Sequence, residues 1–234
     1  MKLTNIILSL GVVSMLICAP ESSFSMDAKP KQPWRALHLL NYETDADLDA
    51  LAKNLEPLAK QGVNVIILEV DYNFAFASHP ELRRGANPIT REGARRFAAA
   101  CRKQNIRLIP EFQSLGHQSW KAETFPLLTV YPKFDLTPGA FPNNDGIYCR
   151  EWDPTNPEVW RIVFELMNEI IDAFHADALH VGMDEVFLLG SEQSPTTRTR
   201  PGSVVCQSRQ RAAQTPRRQT QSRNVDVGRS TDRR

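Results

Sequence analysis

A chain of 234 residues with 41% hydrophobic content and a net charge of +1 has room for one large domain or two small ones, with the apolar content of an ordinary globular fold. So small a net charge points to no class of partner, but it hides an asymmetry. Residues 1–190 hold 18 basic and 24 acidic side chains, whereas residues 191–234 hold ten Arg against three acids, and the two parts read as different proteins.

The chain starts Met1-Lys2, runs through an apolar stretch from Ile6 to Ala19 and reaches Ser23-Phe24-Ser25, whose small residues suit signal cleavage. Residues 1–25 are therefore expected to be a secretory signal peptide that exports the protein to the periplasm or beyond the cell. The apolar run is shorter than the ~20 residues of a membrane-spanning helix, so no integral span is expected. Cleavage would leave Cys101, Cys149 and Cys206, an odd count that argues against a disulfide framework, and no zinc-ligand spacing is present.

After a spacer at 26–33, Trp34 to Asn41 reads as a first strand. Asp45 to Gln61, with Leu48, Leu51, Leu55 and Leu58 at helical spacing, reads as a helix closed by Gly62, although Pro57 interrupts the pattern. Val63 to Val70 is a second strand ending at Asp71. A helix from Thr90 to Asn105 follows, then a third strand, Ile106 to Phe112, that runs into Gln113-Ser114-Leu115-Gly116-His117. A long loop from Phe125 to Asp153 is of a length that is functional or disordered in compact domains. Thr155 or Asn156 caps a helix to about His175, and Ala178 to Met183 is the fourth strand, ending at Asp184-Glu185.

This β-α-β-α-β-α-β order implies a parallel sheet with helical crossovers, either a barrel or a doubly wound sheet. No Gly-x-Gly-x-x-Gly or Walker loop is present, so nucleotide binding has no support, which tilts the choice towards half of a (β/α)8 barrel. Beyond Gly190, Ser, Thr, Gln, Pro and Arg dominate without an apolar period, and the stretch cannot bury a core. Residues 191–234 are thus expected to be a disordered Arg-rich tail, and we expect its reading frame to have left the ancestral one. Its charge alone would suit nucleic acid, but an exported protein gives that no context, so no nucleic-acid partner is expected.

In parallel α/β folds the carboxyl ends of the strands carry function. Those ends gather Asp71, Glu111, His117, Asp184 and Glu185, with Arg35 near the first strand. A carboxylate-rich mouth with one imidazole and one guanidinium suits glycoside cleavage, which needs a proton donor, stabilisation of a developing positive charge and clamps for hydroxyls. Taken singly, each residue has a plainer reading: a surface cation for Arg35, a strand-end cap for Asp71, a loop histidine for His117.

Together they resemble one family. His180-x-Gly182-x-Asp184-Glu185 is similar to the catalytic signature of glycoside hydrolase family 20, the β-N-acetylhexosaminidases and relatives, and Ile109-Pro110-Glu111-Phe112-Gln113-Ser114-Leu115-Gly116-His117 resembles its strand-three motif, Pro-Glu-x-Asp-x-Pro-Gly-His. The resemblance covers residues 34–190. It implies a (β/α)8 barrel of which the first four units are present, needing no cofactor, that removes terminal N-acetylhexosamines from carbohydrate with help from the substrate's own acetamido oxygen. Glu185 would be the general acid and then base, and Asp184 would orient the acetamido group. His117 and Asp71 would form a relay behind Glu185, while Arg35, Glu111 and His180 would contact the sugar. Gln113 and Leu115 depart from the family's Asp and Pro, Met183 replaces a small residue, and strands five to eight have no counterpart. A non-catalytic, carbohydrate-binding or barrel-completing fragment is the alternative.

Overall fold

The computed structural model describes residues 32–192 and 194. The expected signal peptide, Cys18, Cys206 and nearly all of the Arg-rich tail lie outside the described residues. The chain divides into two units, 1–33 and 34–234, and every element below belongs to the second.

Strand β1 (Ala36–Leu39) is followed by helices α1 (Asp45–Ala52) and α2 (Leu55–Lys60), then β2 (Val65–Glu69), α3 (Arg91–Lys103) and β3 (Arg107–Ser114). A short hairpin of β4 (Ser119–Trp120) and β5 (Glu123–Thr124) leads to helix α4 (Pro126–Val130), the long helix α5 (Pro157–Phe174) and strand β6 (His180–Gly182). The main sheet has the order β1-β2-β3-β6 and every pairing in it is parallel, so each strand lies beside its predecessor in the repeat.

Local chemistry explains most boundaries. Thr44 caps α1 in a reciprocal box with Asp47, its hydroxyl accepting from Asp47 N at 3.2 Å while its own N–H donates to the Asp47 carboxylate at 3.0 Å. The expected single helix over 45–61 is two, because Pro57 has no N–H and its ring collides with the carbonyl four residues back. The break at 53–54 moves Pro57 into the first turn of α2, where an N–H has no intrahelical partner anyway. Gly62 then leaves the helix at φ 93°. Thr90 caps α3 through Gly93 N at 3.0 Å and also binds Asp45, by its N–H at 2.8 Å and its hydroxyl at 2.7 Å. A Cβ on Gly93 would stand 1.9 Å from the Asp45 carboxylate, so this helix-to-helix tie requires glycine there.

The sheet's two faces differ. Ile66, Leu68, Leu108 and Phe112 point into one core with Leu48, Leu51, Phe97, Cys101, Val163 and Leu166 from α1, α3 and α5. On the alternate positions stand Ile67, Glu69, Glu111 and His38, and there β1 and β6 are largely exposed. Helices stacked along one face of a parallel sheet, with polar groups on the other, are the arrangement of a barrel wall rather than of a doubly wound sheet. The described residues form the first four units of a (β/α)8 barrel.

The segment from 125 to 153 is ordered. Arg150, nearly buried, donates to Asp135 and Asn144 at 2.5 Å and to the Phe141 carbonyl, replacing the regular hydrogen bonds that an irregular segment lacks.

Candidate active site

β2, β3 and β6 deliver their side chains to one end, where each strand turns off in a left-handed conformation. Asp71, Leu115, His117, Met183 and Glu185 have φ of 46°, 70°, 52°, 69° and 49°. Such φ values are costly for side chains with a Cβ and cluster where function imposes them. Neighbouring residues of a strand face opposite ways, yet Asp184 and Glu185 both reach one imidazole: His117 Nε2 lies 3.0 Å from Glu185 Oε2 and 3.5 Å from Asp184 Oδ2. The left-handed turn at Glu185 makes this possible. The approach to Glu185 is an ion-pair contact rather than an aligned hydrogen bond.

Gln113 Nε2 donates to Asp184 Oδ1. Partial burial works against the charge on Asp184, but the Gln113 bond and the nearby His117 and His180 outweigh it and hold the carboxyl below its ordinary range. Gln113 is buried against β6, where a Cβ on Gly182 would stand 1.5 Å from its Oε1, so Gly182 of the His-x-Gly motif is a space requirement.

The Asp184–Glu185 pair is braced from the long loop. Cys149 Sγ accepts from His117 N at 3.4 Å and donates to the Glu185 carbonyl at 3.8 Å, tying the two loops together. Burial pushes this thiol up to about 11, so it packs rather than reacts. Glu151, fully buried, accepts from the amides of Phe187 at 2.5 Å and Leu188 at 2.6 Å and so fixes the turn that follows Glu185. Gln118, also fully buried, accepts from the Tyr72 hydroxyl at 2.6 Å and donates to the Gly116 carbonyl at 2.9 Å.

At this end of the sheet lies a cavity of about 410 Å³, a size suited to a small ligand, lined in part by Glu69, Asp71, Glu111, Gln113, His117 and Asp184. Three carboxyls converge on its floor. Burial and then the Glu111 charge raise Glu69. Burial, with Glu69 and Glu111 adding to it against a hydrogen bond from Gln113 N, pushes Asp71 up to about 8. Glu111 itself is shared by two imidazoles, with His38 Nε2 on Oε2 and His180 Nδ1 at 3.0 Å on Oε1. His117, Asp184 and Glu185 also present one ligand atom each within 4.8 Å of one another, a donor set that could accept a cation.

Of the residues singled out in the sequence, His117, Asp184, Asp71 and Glu111 line the cavity, and Glu185 joins them through His117. Three expectations are corrected. Arg35 precedes β1, its N–H on Asn64 Oδ1 at 2.8 Å and its guanidinium over Gly62, at the amino-terminal end of the sheet. At ~3.3 Å per residue, the four-residue strand places it on the order of 10 Å from the mouth. The guanidinium at the mouth is that of Arg84, held by Glu123 at 2.8 Å and lying 4.5 Å over Phe125. The expected Asp71–His117 relay is not formed either, since Asp71 Oδ1 takes the Gln113 amide at 2.6 Å and the imidazole turns to Glu185. His180 supports Glu111 instead of bordering the cavity.

His38, Glu69, Arg84, Tyr148, Cys149 and Glu151 were not singled out. His38 and Glu69 had a signal, lying on the strand positions that share a face with Glu111.

A half-barrel wall with carboxylates and an imidazole at its carboxyl-terminal mouth defines a hydrolase-type α/β domain. Its sequence matches the model of the glycosyl hydrolase family 20 catalytic domain over residues 54–223, which passes the boundary at 190 drawn from composition. The chain belongs to that family. It is 24% identical over 176 residues to a beta-hexosaminidase of Akkermansia muciniphila, covering 67% of this chain and 35% of that protein. It is 25% identical over 168 residues to beta-hexosaminidase A of Caenorhabditis briggsae, covering 68% and 29%. The chain thus spans about a third of the length of the curated relatives it matches. Among solved structures, the chitobiase of Flavobacterium johnsoniae superposes at a TM-score of 0.64 with 24% identity, covering 79% of this chain and 30% of that one. An exo β-N-acetylglucosaminidase of Vibrio harveyi, in complex with N-acetylglucosamine, superposes at 0.56 with 17% identity, covering 75% and 32%.

Proposed function

We propose that this domain hydrolyses terminal β-linked N-acetylhexosaminides by substrate assistance. The observation that carries the reading is the convergence of Asp184 and Glu185 on His117 at the mouth of the cavity. The substrate's acetamido carbonyl oxygen attacks the anomeric carbon as the glycosidic C–O bond breaks, and Glu185 gives its proton to the departing oxygen. Asp184, kept ionised by Gln113 and the nearby imidazoles, accepts the acetamido N–H and offsets the positive charge of the oxazolinium ring. Glu185 then takes a proton from the water that opens the ring, restoring the acetamido group and retaining the anomeric configuration. Asp71, largely protonated near neutral pH, would serve as a hydrogen-bonding neighbour on the floor and not as the anionic end of a relay. We further propose that the protein is exported by residues 1–25, that the barrel domain spans 34–190, and that the segment from 191 is an Arg-rich tail. Among the described residues no helix is long and apolar enough to cross a membrane.

The chemistry is tested by comparing hydrolysis of p-nitrophenyl N-acetyl-β-D-glucosaminide with that of p-nitrophenyl β-D-glucoside, which lacks the acetamido nucleophile. Turnover confined to the first supports the reading. Equal turnover of both refutes substrate assistance, and sugar binding without turnover favours the non-catalytic alternative.

A further inference from the structure

The connection from Asn73 to Ile89, between β2 and α3, carries Arg84 to the cavity wall and is fastened to the helices by carboxylates. Glu169 of α5 accepts the amides of Ala77 and Ser78, each at 2.8 Å. His79 follows and lies between two more carboxylates: its Nδ1 is 2.9 Å from Glu81 Oε1, and its Nε2 is 2.8 Å from Glu165 Oε2 on α5. The Glu81 oxygen that meets His79 also accepts the Tyr131 hydroxyl at 2.6 Å, from the end of α4. Further along the same connection, Arg84 lies over Phe125 at the start of α4. His79 thus stands where the connection, α4 and α5 meet. An ionised carboxylate only accepts, so both ring nitrogens must donate, and only the protonated imidazole has two N–H groups. The His79 side chain is 12% exposed, so water cannot readily replace a lost partner.

We propose that His79 is a positioning residue whose positive charge clasps the 73–89 connection to α4 and α5, and that loss of this charge frees the connection and the Arg84 guanidinium with it. The clasp holds whether or not the domain hydrolyses sugars. Burial opposes the charge on the ring, but the bonds to Glu81 and Glu165 outweigh it and raise His79 above its ordinary 6.5. Glu81 is held down to about 2 by the Tyr131 and His79 bonds, so it faces the ring as an anion. The other charges around the clasp pair among themselves: Arg161 meets Glu165 at 3.1 Å, Arg91 of α3 stands 3.9 Å from Glu169, and Lys133 holds Glu158 at 2.7 Å. A histidine raised in the fold contributes fully below the unfolded value of 6.5, and its contribution is lost as pH rises through the folded value. The clasp therefore loosens on the alkaline side.

The test combines NMR titration of the histidine rings with limited trypsin digestion of the full chain. Trypsin cuts after arginine, but Arg83 donates to the Phe76 carbonyl at 2.8 Å and the Arg84 amide to the Tyr72 carbonyl at 2.7 Å, so cleavage at either requires the connection to open. With rates normalised to a small peptide substrate, cleavage there should rise roughly ten-fold from pH 6 to pH 8.5, the effect of one lost charged hydrogen bond, and should follow a His79 midpoint above 6.5. His79→Gln should be cut fast at both pH values, and Glu165→Gln should move the midpoint and the rise in cleavage together to lower pH. A His79 midpoint at or below 6.5, or one that Glu165→Gln leaves unmoved, overturns the clasp. So does a rise in cleavage that persists in His79→Gln, which is what titration of Asp71 alone would produce.

Discussion

Asp71 is ionisable, sunk in the cavity floor and pushed up to about 8 from an ordinary 3.8, so it links stability to pH with a definite sign. Above about pH 4 the unfolded chain releases this proton while the folded chain keeps it. Stability from this group is therefore present at low pH and lost as pH climbs towards the folded value, with no further loss beyond it. At about 1.4 kcal/mol per pH unit the window sets a ceiling of about 6 kcal/mol. Glu69, itself held up by burial, shares part of the same repulsion, so roughly half of that, ~3 kcal/mol, belongs to Asp71 alone. Asp71→Asn keeps an oxygen for the Gln113 N–H and cannot ionise. Urea unfolding at pH 5 and pH 8, which spans about two thirds of that window, should show the native chain losing about 2 kcal/mol more across the interval than the variant does. Equal losses would show that Asp71 is already ionised in the fold at pH 5 and would undo the account of the cavity floor.

Other perturbations test the bracing. Glu151→Ala orphans the buried amides of Phe187 and Leu188 and should cost ~2–4 kcal/mol in a thermal melt, whereas Glu151→Gln retains an acceptor and should recover most of it. Gly116→Ala places a Cβ 2.9 Å from the Asp184 carbonyl, a backbone atom that cannot swing aside, and should cut hydrolysis by about 100-fold through misplacement of the pair. Arg150→Met leaves the Asp135 carboxylate buried and unpaired, which should destabilise by ~3–5 kcal/mol and open residues 125–153 to limited proteolysis.

What was legible in the sequence was what apolar periodicity and caps encode. Val63 to Val70 and Ile106 to Phe112 read as buried strands, and Thr90 and the Thr155-Asn156 pair marked helix starts, which the structure caps from Thr90 to Gly93 and, of the pair, from Asn156 to Glu158. Met183 was noted as a departure from a small residue, and its φ of 69° gives the reason a small residue suits that position. Arg35 was misplaced because a residue near a strand's start and one at its end look alike until the strand's polarity towards the mouth is fixed. The relay failed for a different reason: a backbone amide, which every residue carries, competed for Asp71 and won. Cys149, Arg150 and Glu151 sit in a loop with no period, where only the folded chain shows which amides and loops each residue serves.

The assignment of Glu185 as the proton donor is tested most directly by comparing Glu185→Gln with the native chain on two leaving groups. p-Nitrophenolate departs without protonation, whereas a sugar alkoxide does not. The account predicts a loss of order 10³-fold on N,N′-diacetylchitobiose and a much smaller loss in the first step on the p-nitrophenyl substrate. Equal losses on both, or none on either, would contradict it.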